Sequence, residues 1–176
     1  MKQDNIYLVG LMGAGKTTVG KQLAKQTGKA FHDSDQEIKI RTGVCISHIF
    51  EVEGEAGFRL RETAALEELT RLENIVLATG GGAVLSEENR SMLKLNGTVI
   101  YLRASVNDLW ARTRHDRNRP LLQTADPHAR LAELYRFRDP LYREVADIIV
   151  DTSKQSVSCL VNQILQKLES RKVQSC

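Results

Sequence analysis

The stretch VGLMGAGKTT, residues 9–18, decides the fold. From Gly10 to Thr17 it fills every fixed position of the phosphate-loop pattern G-x-x-x-x-G-K-[ST]. The short apolar run at 6–9 predicts a buried strand ahead of the loop, and the helical spacing of apolar residues over 16–26 predicts a helix behind it. Strand, loop and helix together are the context that this pattern requires.

The residue types of the loop suit a phosphate ligand. Glycines at Gly10, Gly13 and Gly15 allow successive backbone N–H groups to point at one anion, and the start of the helix adds partial positive charge. Lys16 can then reach the outer phosphates, and the Thr17 hydroxyl can bind Mg²⁺. The alternative interpretation is a glycine-rich turn with an exposed lysine.

Composition favours one domain with a small anionic ligand. The 176 residues contain no Pro- or Ser-rich linker, so we expect a single domain over 1–176. A net charge of +3 and 5% aromatic residues argue against a nucleic-acid partner. The N-terminus lacks the layout of a signal peptide and no apolar run is long enough for a membrane span, so we expect a cytoplasmic protein with no membrane partner.

Short apolar strands alternate with helical segments along the chain. This alternation predicts an α/β fold of three layers (α/β/α) around a central five-stranded parallel sheet. The predicted strands are 6–9, 30–32, 75–79, 98–102 and 148–150. Since parallel sheets bind ligands at the carboxyl ends of their strands, we expect the phosphate loop, residues 33–35 and residues 80–82 to meet at one edge.

Two carboxylates follow the second predicted strand. Asp33 and Asp35 are two residues apart, so in an extended segment both face the same side. One of them can support Mg²⁺ through water while the other orients and deprotonates an acceptor hydroxyl. Alternatively, one of these residues only caps the following helix, for which Ser34 or Asp35 is the expected cap.

Two further motifs are less specific. Arg59 and Glu62 have the i, i+3 spacing of a helical ion pair, which by itself favours a solvated surface pair. Gly80, Gly81 and Gly82 follow a predicted buried strand, where three glycines suggest that the backbone approaches a ligand closely.

Arginines concentrate in two segments of the second half. The stretch RTRHDRNRPLLQTAD, residues 112–126, is either a solvated loop or a mobile lid at about 113–127 that excludes water and supplies an arginine to a transferred phosphoryl group. The stretch RFRDPLY, residues 136–142, adds two arginines, and Pro140 is expected to end the preceding helix.

Taken in order, these motifs resemble the shikimate kinases, which are phosphate-loop proteins of the nucleoside-monophosphate-kinase-like branch. The segments that carry the resemblance are GLMGAGKTTVG, DSD, FRLRE, TGGG, RNRPLL and RDPLY. The resemblance implies phosphoryl transfer from ATP to the 3-hydroxyl of shikimate, with Mg²⁺, in a phosphate-loop kinase architecture with a mobile lid. It also implies a helical substrate-binding region at about 33–62.

The resemblance implies nucleotide-side roles as well. The triphosphate would be bound by Gly13, Ala14, Gly15, Lys16, Thr17 and Thr18. Thr17 would hold Mg²⁺, and Asp33 would assist the metal through water. Arg112 would lie against the adenine, Arg119 would be the lid arginine, and Gln155 would contact ATP.

On the acceptor side, the resemblance implies that Asp35 binds the substrate hydroxyls and acts as the base. Lys16 and Arg119 would complete the catalytic set. Arg59 and Arg138 would grip the carboxylate of shikimate. The remaining substrate contacts would come from the glycine backbone at Gly80, Gly81 and Gly82, with Gly81 as the donor.

Two alternative functions stay open at this point. A relative that phosphorylates another small polyol or acid, such as gluconate, uses the same loop. A nucleotide-binding switch would also contain it, although the sequence has no guanine-reading N-K-x-D. We expect a monomer whose partners are ATP and a small-molecule substrate.

Overall fold

A five-stranded parallel sheet organises the computed structural model, which describes residues 4–175. The strands lie in the order β2-β3-β1-β4-β5, and each neighbouring pair is parallel. Their bounds are β1 Ile6–Val9, β2 Ala30–Asp33, β3 Ile75–Ala78, β4 Thr98–Arg103 and β5 Ile148–Asp151. All four residues of β1 and of β3 are buried, as their apolar composition predicts for strands covered on both faces.

Helices connect and flank these strands in the described part of the chain. They are α1 Lys16–Thr27, α2 Ser34–Thr42, α3 Ile46–Leu69, α4 Glu87–Asn96, α5 Val106–Thr113, α6 Pro127–Val145 and α7 Val157–Gln174. Helix α1 packs against α7, and α4 packs against α3 and α6. This arrangement confirms the predicted α/β fold. Within residues 4–175, no helix combines the length and apolarity needed to cross a bilayer.

A second, smaller core lies between α2 and α3. Its buried members are Ile38, Ile49, Phe58 and Ala65, and the half-buried Ile46 and Phe50 pack against them. All of these side chains except Ala65 belong to the region at about 33–62 in which substrate binding is expected. That region therefore has its own apolar support beside the main core around the sheet.

Three expected helix bounds are wrong. Helix α6 continues past Pro140 to Val145, because Tyr142 and Val145 beyond the proline are fully buried against the core. The apolar pattern over 54–72 predicts a helix that starts at Gly54, but α3 begins at Ile46 and is kinked at Gly54, whose φ of 72° is non-helical. The polar tail from 169 is expected to fray, but it continues α7 to Gln174.

Candidate active site

The phosphate loop joins the end of β1 to the start of α1. Gly13 and Gly15 adopt φ values of 84° and 95°, a left-handed conformation that glycine adopts at little cost. Gly15 is the N-cap of α1 and, within the described residues, no side chain caps this end of the helix. The helix N-terminus is therefore available to an anion. Ala14 is buried within the loop.

Lys16 lies at the first position of α1 and folds back over the loop. Its Nζ donates hydrogen bonds to the carbonyl oxygens of Gly10, at 2.5 Å, and Leu11, at 3.0 Å. Burial lowers the pKa of Lys16 to about 8, while the nearby Asp35 carboxylate opposes this shift. The ammonium thus lacks a directly bonded counter-ion among residues 4–175, and a phosphate would supply one.

A cavity of about 350 Å³ opens above the loop, and we call it the phosphate chamber. Its lining combines the phosphate loop with both carboxylates, two of the three glycines and two arginines. The lining residues are Met12, Gly13, Gly15, Lys16, Thr17, Thr18, Asp33, Asp35, Thr79, Gly80, Gly81, Arg112 and Arg119. The expected meeting of three sequence motifs at one sheet edge is therefore confirmed.

Asp33 makes two kinds of contact with its two carboxylate oxygens. Oδ1 accepts hydrogen bonds from the backbone N–H groups of Asp35, at 3.0 Å, and Gln36, at 3.2 Å, so Asp33 is the N-cap of α2. Oδ2 accepts a hydrogen bond of 2.9 Å from the Thr17 hydroxyl. The expectation of a cap at Ser34 or Asp35 is wrong, since the Ser34 hydroxyl instead accepts a hydrogen bond from the N–H of Gly80.

A second, smaller cavity of about 110 Å³ adjoins the first, and we call it the acceptor chamber. The residues shared by both chambers are Met12, Asp35, Gly80, Gly81 and Arg119. The residues that line only the acceptor chamber are Ile46, Phe50, Phe58, Arg59, Glu62, Gly82, Asn118, Pro120, Leu121 and Arg138. The two chambers are therefore neighbours that share part of their walls.

Asp35 lies between the chambers, in the first turn of α2 and not in the extended segment that the sequence suggested. Among the described residues, its buried Oδ1 has no hydrogen-bond partner. Burial and the neighbouring Asp33 raise the pKa of Asp35, whereas Lys16, Arg59 and Arg119 act in the opposite direction. A carboxylate with a free oxygen and a raised pKa suits a general base.

Arg59 and Glu62 form an ion pair in which Glu62 is buried and Arg59 is half-buried, so the expectation of a solvated surface pair is wrong. Arg59 Nη1 lies 2.9 Å from Glu62 Oε1, and the Glu62 side chain is 1% exposed. A Cβ at Gly82 would collide with the Arg59 guanidinium, and one at Gly80 would lie 2.7 Å from Glu62 Oε2. A larger residue at either position would displace these side chains from their present places.

Arg138 enters the acceptor chamber from α6 and is only 2% exposed. Within residues 4–175, its Nε and Nη1 have no hydrogen-bond partner. Burial lowers the pKa of Arg138, and the nearby Arg59 contributes in the same direction. The buried Arg138 and the half-buried Arg59 both have N–H donors without a partner among the described residues, which indicates a site for a carboxylate or a similar anion.

Part of the segment at about 113–127, which is predicted to be a lid, lines the acceptor chamber. Pro120–Leu122 form a 3₁₀ turn, and Leu122 is buried in the main core. Arg119 lines both chambers, with its Nε held 2.9 Å from Asp116 Oδ2. Asn118 lines the acceptor chamber from the same segment.

The two remaining expected ATP contacts differ in position. Arg112 lines the phosphate chamber, and its Nη1 donates a hydrogen bond of 3.1 Å to the carbonyl oxygen of Gly13. Gln155 follows β5, where its Nε2 donates to the carbonyl oxygen of Asp151, and neither of the two chambers is lined by it among the residues described.

The chain is similar to known shikimate kinases in sequence and in fold. The family model described as shikimate kinase matches residues 12–169. A shikimate kinase of Nitrosospira multiformis is 65% identical over 164 residues, which cover 93% of this chain and 84% of the relative. The chain belongs to the shikimate kinase family. A solved shikimate kinase of Acinetobacter baumannii in complex with shikimate is 52% identical, with a TM-score of 0.95, coverage of 97% of this chain and 95% of that chain.

A gluconokinase from Sinorhizobium meliloti bears on the alternative acceptor. It is 16% identical to this chain, with a TM-score of 0.57 and coverage of 99% and 98%. Identity this low shows a shared fold only. Membership of the shikimate kinase family therefore rests on the much closer relatives.

The acceptor chamber of this shikimate kinase family member has an apolar wall that was not predicted from the sequence. Ile46, Phe50 and Phe58 line it, and the two phenylalanine rings lie 4.9 Å apart. The Arg59 guanidinium also lies 5.2 Å from the Phe58 ring centroid. Apolar residues on α3 are indistinguishable from ordinary core residues in a sequence, so no signal marked Ile46 or Phe50 as part of a site.

Proposed function

We propose that the chain transfers the γ-phosphoryl group of ATP to the 3-hydroxyl of shikimate, giving ADP and shikimate 3-phosphate. The observation that carries this proposal is the sharing of Asp35 and Arg119 between the phosphate chamber and the acceptor chamber. Family membership and the shikimate complex of the Acinetobacter relative support the choice of acceptor.

The acceptor chamber suits a small carboxylated triol. Arg59 and Arg138 provide a cationic wall for the carboxylate, and Phe58 provides an apolar surface beside it. Asp35 provides the acceptor for a hydroxyl proton on the side that faces the phosphate chamber. We assign the backbone of residues 80–82 to further polar contacts with the substrate, with Gly81 as donor.

The transfer step needs few protein groups. Asp35 takes the proton of the 3-hydroxyl as that oxygen bonds to the γ-phosphorus, and the bond from phosphorus to the β,γ-bridging oxygen breaks to release ADP. Lys16 and Arg119 stabilise the negative charge on the transferred group and on the leaving oxygen. Arg112 and residues 13–18 hold the nucleotide, and Gln155 is proposed as an additional ATP contact after β5.

Thr17 and Asp33 are the residues that would hold Mg²⁺. Their side-chain oxygens lie 2.9 Å apart in the phosphate chamber, and oxygen ligands are those that Mg²⁺ prefers. Within residues 4–175, no three His, Cys, Asp or Glu side chains are grouped to hold an ion. Nucleotide phosphates would therefore complete the coordination, and the ion would neutralise phosphate charge. Removing Mg²⁺ with EDTA should abolish turnover, and excess Mg²⁺ should restore it.

The proposal is for a monomeric, single-domain enzyme. Both chambers are lined by one chain, so no second copy is needed to complete them. The lid at about 113–127 would open for substrate entry and close to exclude water, which prevents hydrolysis of ATP. Because ATP is the donor, we place the reaction in the cytoplasm.

A steady-state assay of ADP release distinguishes the candidate functions. Shikimate, quinate and gluconate are each titrated at saturating ATP and Mg²⁺, and saturable ADP release with shikimate is the expected result. Saturation with gluconate but not with shikimate would favour the other kinase class. Hydrolysis that requires a protein partner and no small acceptor would favour a nucleotide switch.

A further inference from the structure

A buried tyrosine hydroxyl lies beneath the acceptor chamber. Tyr142 on α6 is fully buried, and it is not among the residues that line the chamber. Its Oη donates a hydrogen bond to the carbonyl oxygen of Gly81. Burial raises the pKa of Tyr142, so the phenol remains protonated and remains a donor. The hydroxyl therefore fixes the position of the Gly81 carbonyl from the side opposite the chamber.

This hydrogen bond connects the two elements that carry the guanidinium groups. Tyr142 follows Arg138 by four residues, so both side chains lie on one face of α6. The Gly81 carbonyl belongs to the peptide unit that continues to Gly82, and Gly82 lies directly against the Arg59 guanidinium. The position of α6 relative to the glycine backbone thus sets the spacing between Arg138 and Arg59.

We propose that Tyr142 is a positioning residue for acceptor binding, which holds Arg138 and the Gly81–Gly82 peptide at the spacing that a bridging carboxylate requires. The inference rests on the proposed function, because it concerns how the same chamber binds its carboxylated substrate. Groups that bind a ligand must be positioned to within a fraction of an ångström to be effective. Because Arg59 and Arg138 lie on different helices, a direct contact is needed to fix the distance between them.

Tyr101 offers a matched control. Its ring packs against that of Tyr142 at a tilt of 40°, with centroids 4.9 Å apart, and it is almost as deeply buried. Its hydroxyl, however, donates to Asp139 Oδ1 at 2.7 Å, and Tyr101 lines neither chamber. Tyr142→Phe and Tyr101→Phe therefore each remove one hydroxyl from this ring pair, but only Tyr142→Phe removes the hydroxyl that binds the Gly81 carbonyl and lies beside Arg138.

The test compares the steady-state constants of both variants with those of the parent enzyme. Tyr142→Phe should raise KM for shikimate by roughly 3- to 10-fold, the loss expected for one hydrogen bond, with KM for ATP within about twofold. Tyr101→Phe should leave KM for shikimate unchanged. A shikimate analogue with a hydroxymethyl group in place of the carboxylate should be used equally well by the parent and by Tyr142→Phe, because no carboxylate then bridges the arginines.

Each remaining outcome has a defined meaning. An unchanged KM for shikimate in Tyr142→Phe, or an equal rise in both variants, overturns the inference and leaves the tyrosine with a structural role. Absence of shikimate phosphorylation by the parent overturns the proposed function instead. If Tyr142→Phe does not fold, as judged by circular dichroism, Tyr142→Met fills the site without a donor and is assayed in its place, with the same outcomes.

Discussion

The ammonium of Lys16 and the carboxylate of Asp35 face the same cavity from the first turns of α1 and α2. Each favours the charged form of the other, while burial disfavours the charge on both. In the enzyme without ligands, the net result is a lowered pKa for Lys16 and a raised pKa for Asp35. A bound polyphosphate would stabilise the charged lysine.

The affinity for ADP should therefore depend on pH through Lys16. Its pKa of about 8 lies below the ordinary value, and a bound phosphate raises it. Below pH 8 the ammonium is already charged and the affinity is constant. Above pH 8 binding must take up a proton, so the affinity should fall by up to about tenfold per pH unit. Titration calorimetry between pH 6.5 and about 9.5 measures this dependence.

The Lys16→Met variant provides the comparison for that titration. Its ADP affinity should be lower throughout and should not change near pH 8, and its kcat should fall by at least about 100-fold. Lys25→Met, on an exposed position of the same helix, should match the parent. A parent-like turnover in Lys16→Met would contradict the assignment of the phosphate loop.

Asp35→Asn should remove the base while preserving nucleotide binding. We expect kcat to fall by at least about 100-fold, because general-base catalysis contributes that much or more. The affinity for ADP should remain within a few-fold of the parent value. Glu37→Gln, two residues further along α2 and paired with Arg41, is the control that should keep full activity. If Asp35→Asn turned over at the parent rate, Asp35 would not be the general base.

Arg138→Ala should chiefly weaken the binding of shikimate, the acceptor. Loss of one buried partner of a charged ligand costs about 2 kcal/mol or more, so KM for shikimate should rise by at least about 30-fold. KM for ATP should stay within about threefold. Arg136→Ala, exposed on the same helix, should leave both constants unchanged. The role is excluded if the variant loses ATP affinity and retains its affinity for shikimate.

Gly82→Ala should act through Arg59. The added Cβ would occupy the space of the guanidinium, which must move away and release its contact with Glu62. KM for shikimate should then rise about as much as in Arg59→Ala. In the double variant the two effects should not add, since both remove the same guanidinium from its position. Fully additive effects would show that Gly82 matters for another reason.

The sheet and the phosphate site were predictable because their signals are local. The pattern from Gly10 to Thr17 lies between a strand and a helix whose periodicities can be read in short windows, and the carboxyl-end rule then places residues 33–35 and 80–82 beside it. The fold follows from these few segments.

The errors arose where distant residues decide the local outcome. Arg59 and Glu62 have the spacing of a surface pair, but the backbone at Gly80 and Gly82, about 20 residues further on, covers them. Pro140 is a sequence signal for a helix end, but burial of Tyr142 against the core stabilises the helix beyond the proline. Neither contact can be read from the spacing of neighbouring residues.

A crystal structure of the parent enzyme with ADP, Mg²⁺ and shikimate is the decisive test of phosphoryl transfer between the two chambers. We expect the shikimate carboxylate between Arg59 and Arg138, the 3-hydroxyl beside Asp35, and the β-phosphate of ADP against Lys16, with an open line between hydroxyl and phosphate. Shikimate bound outside the acceptor chamber, or separated from ADP by intervening protein, would contradict it.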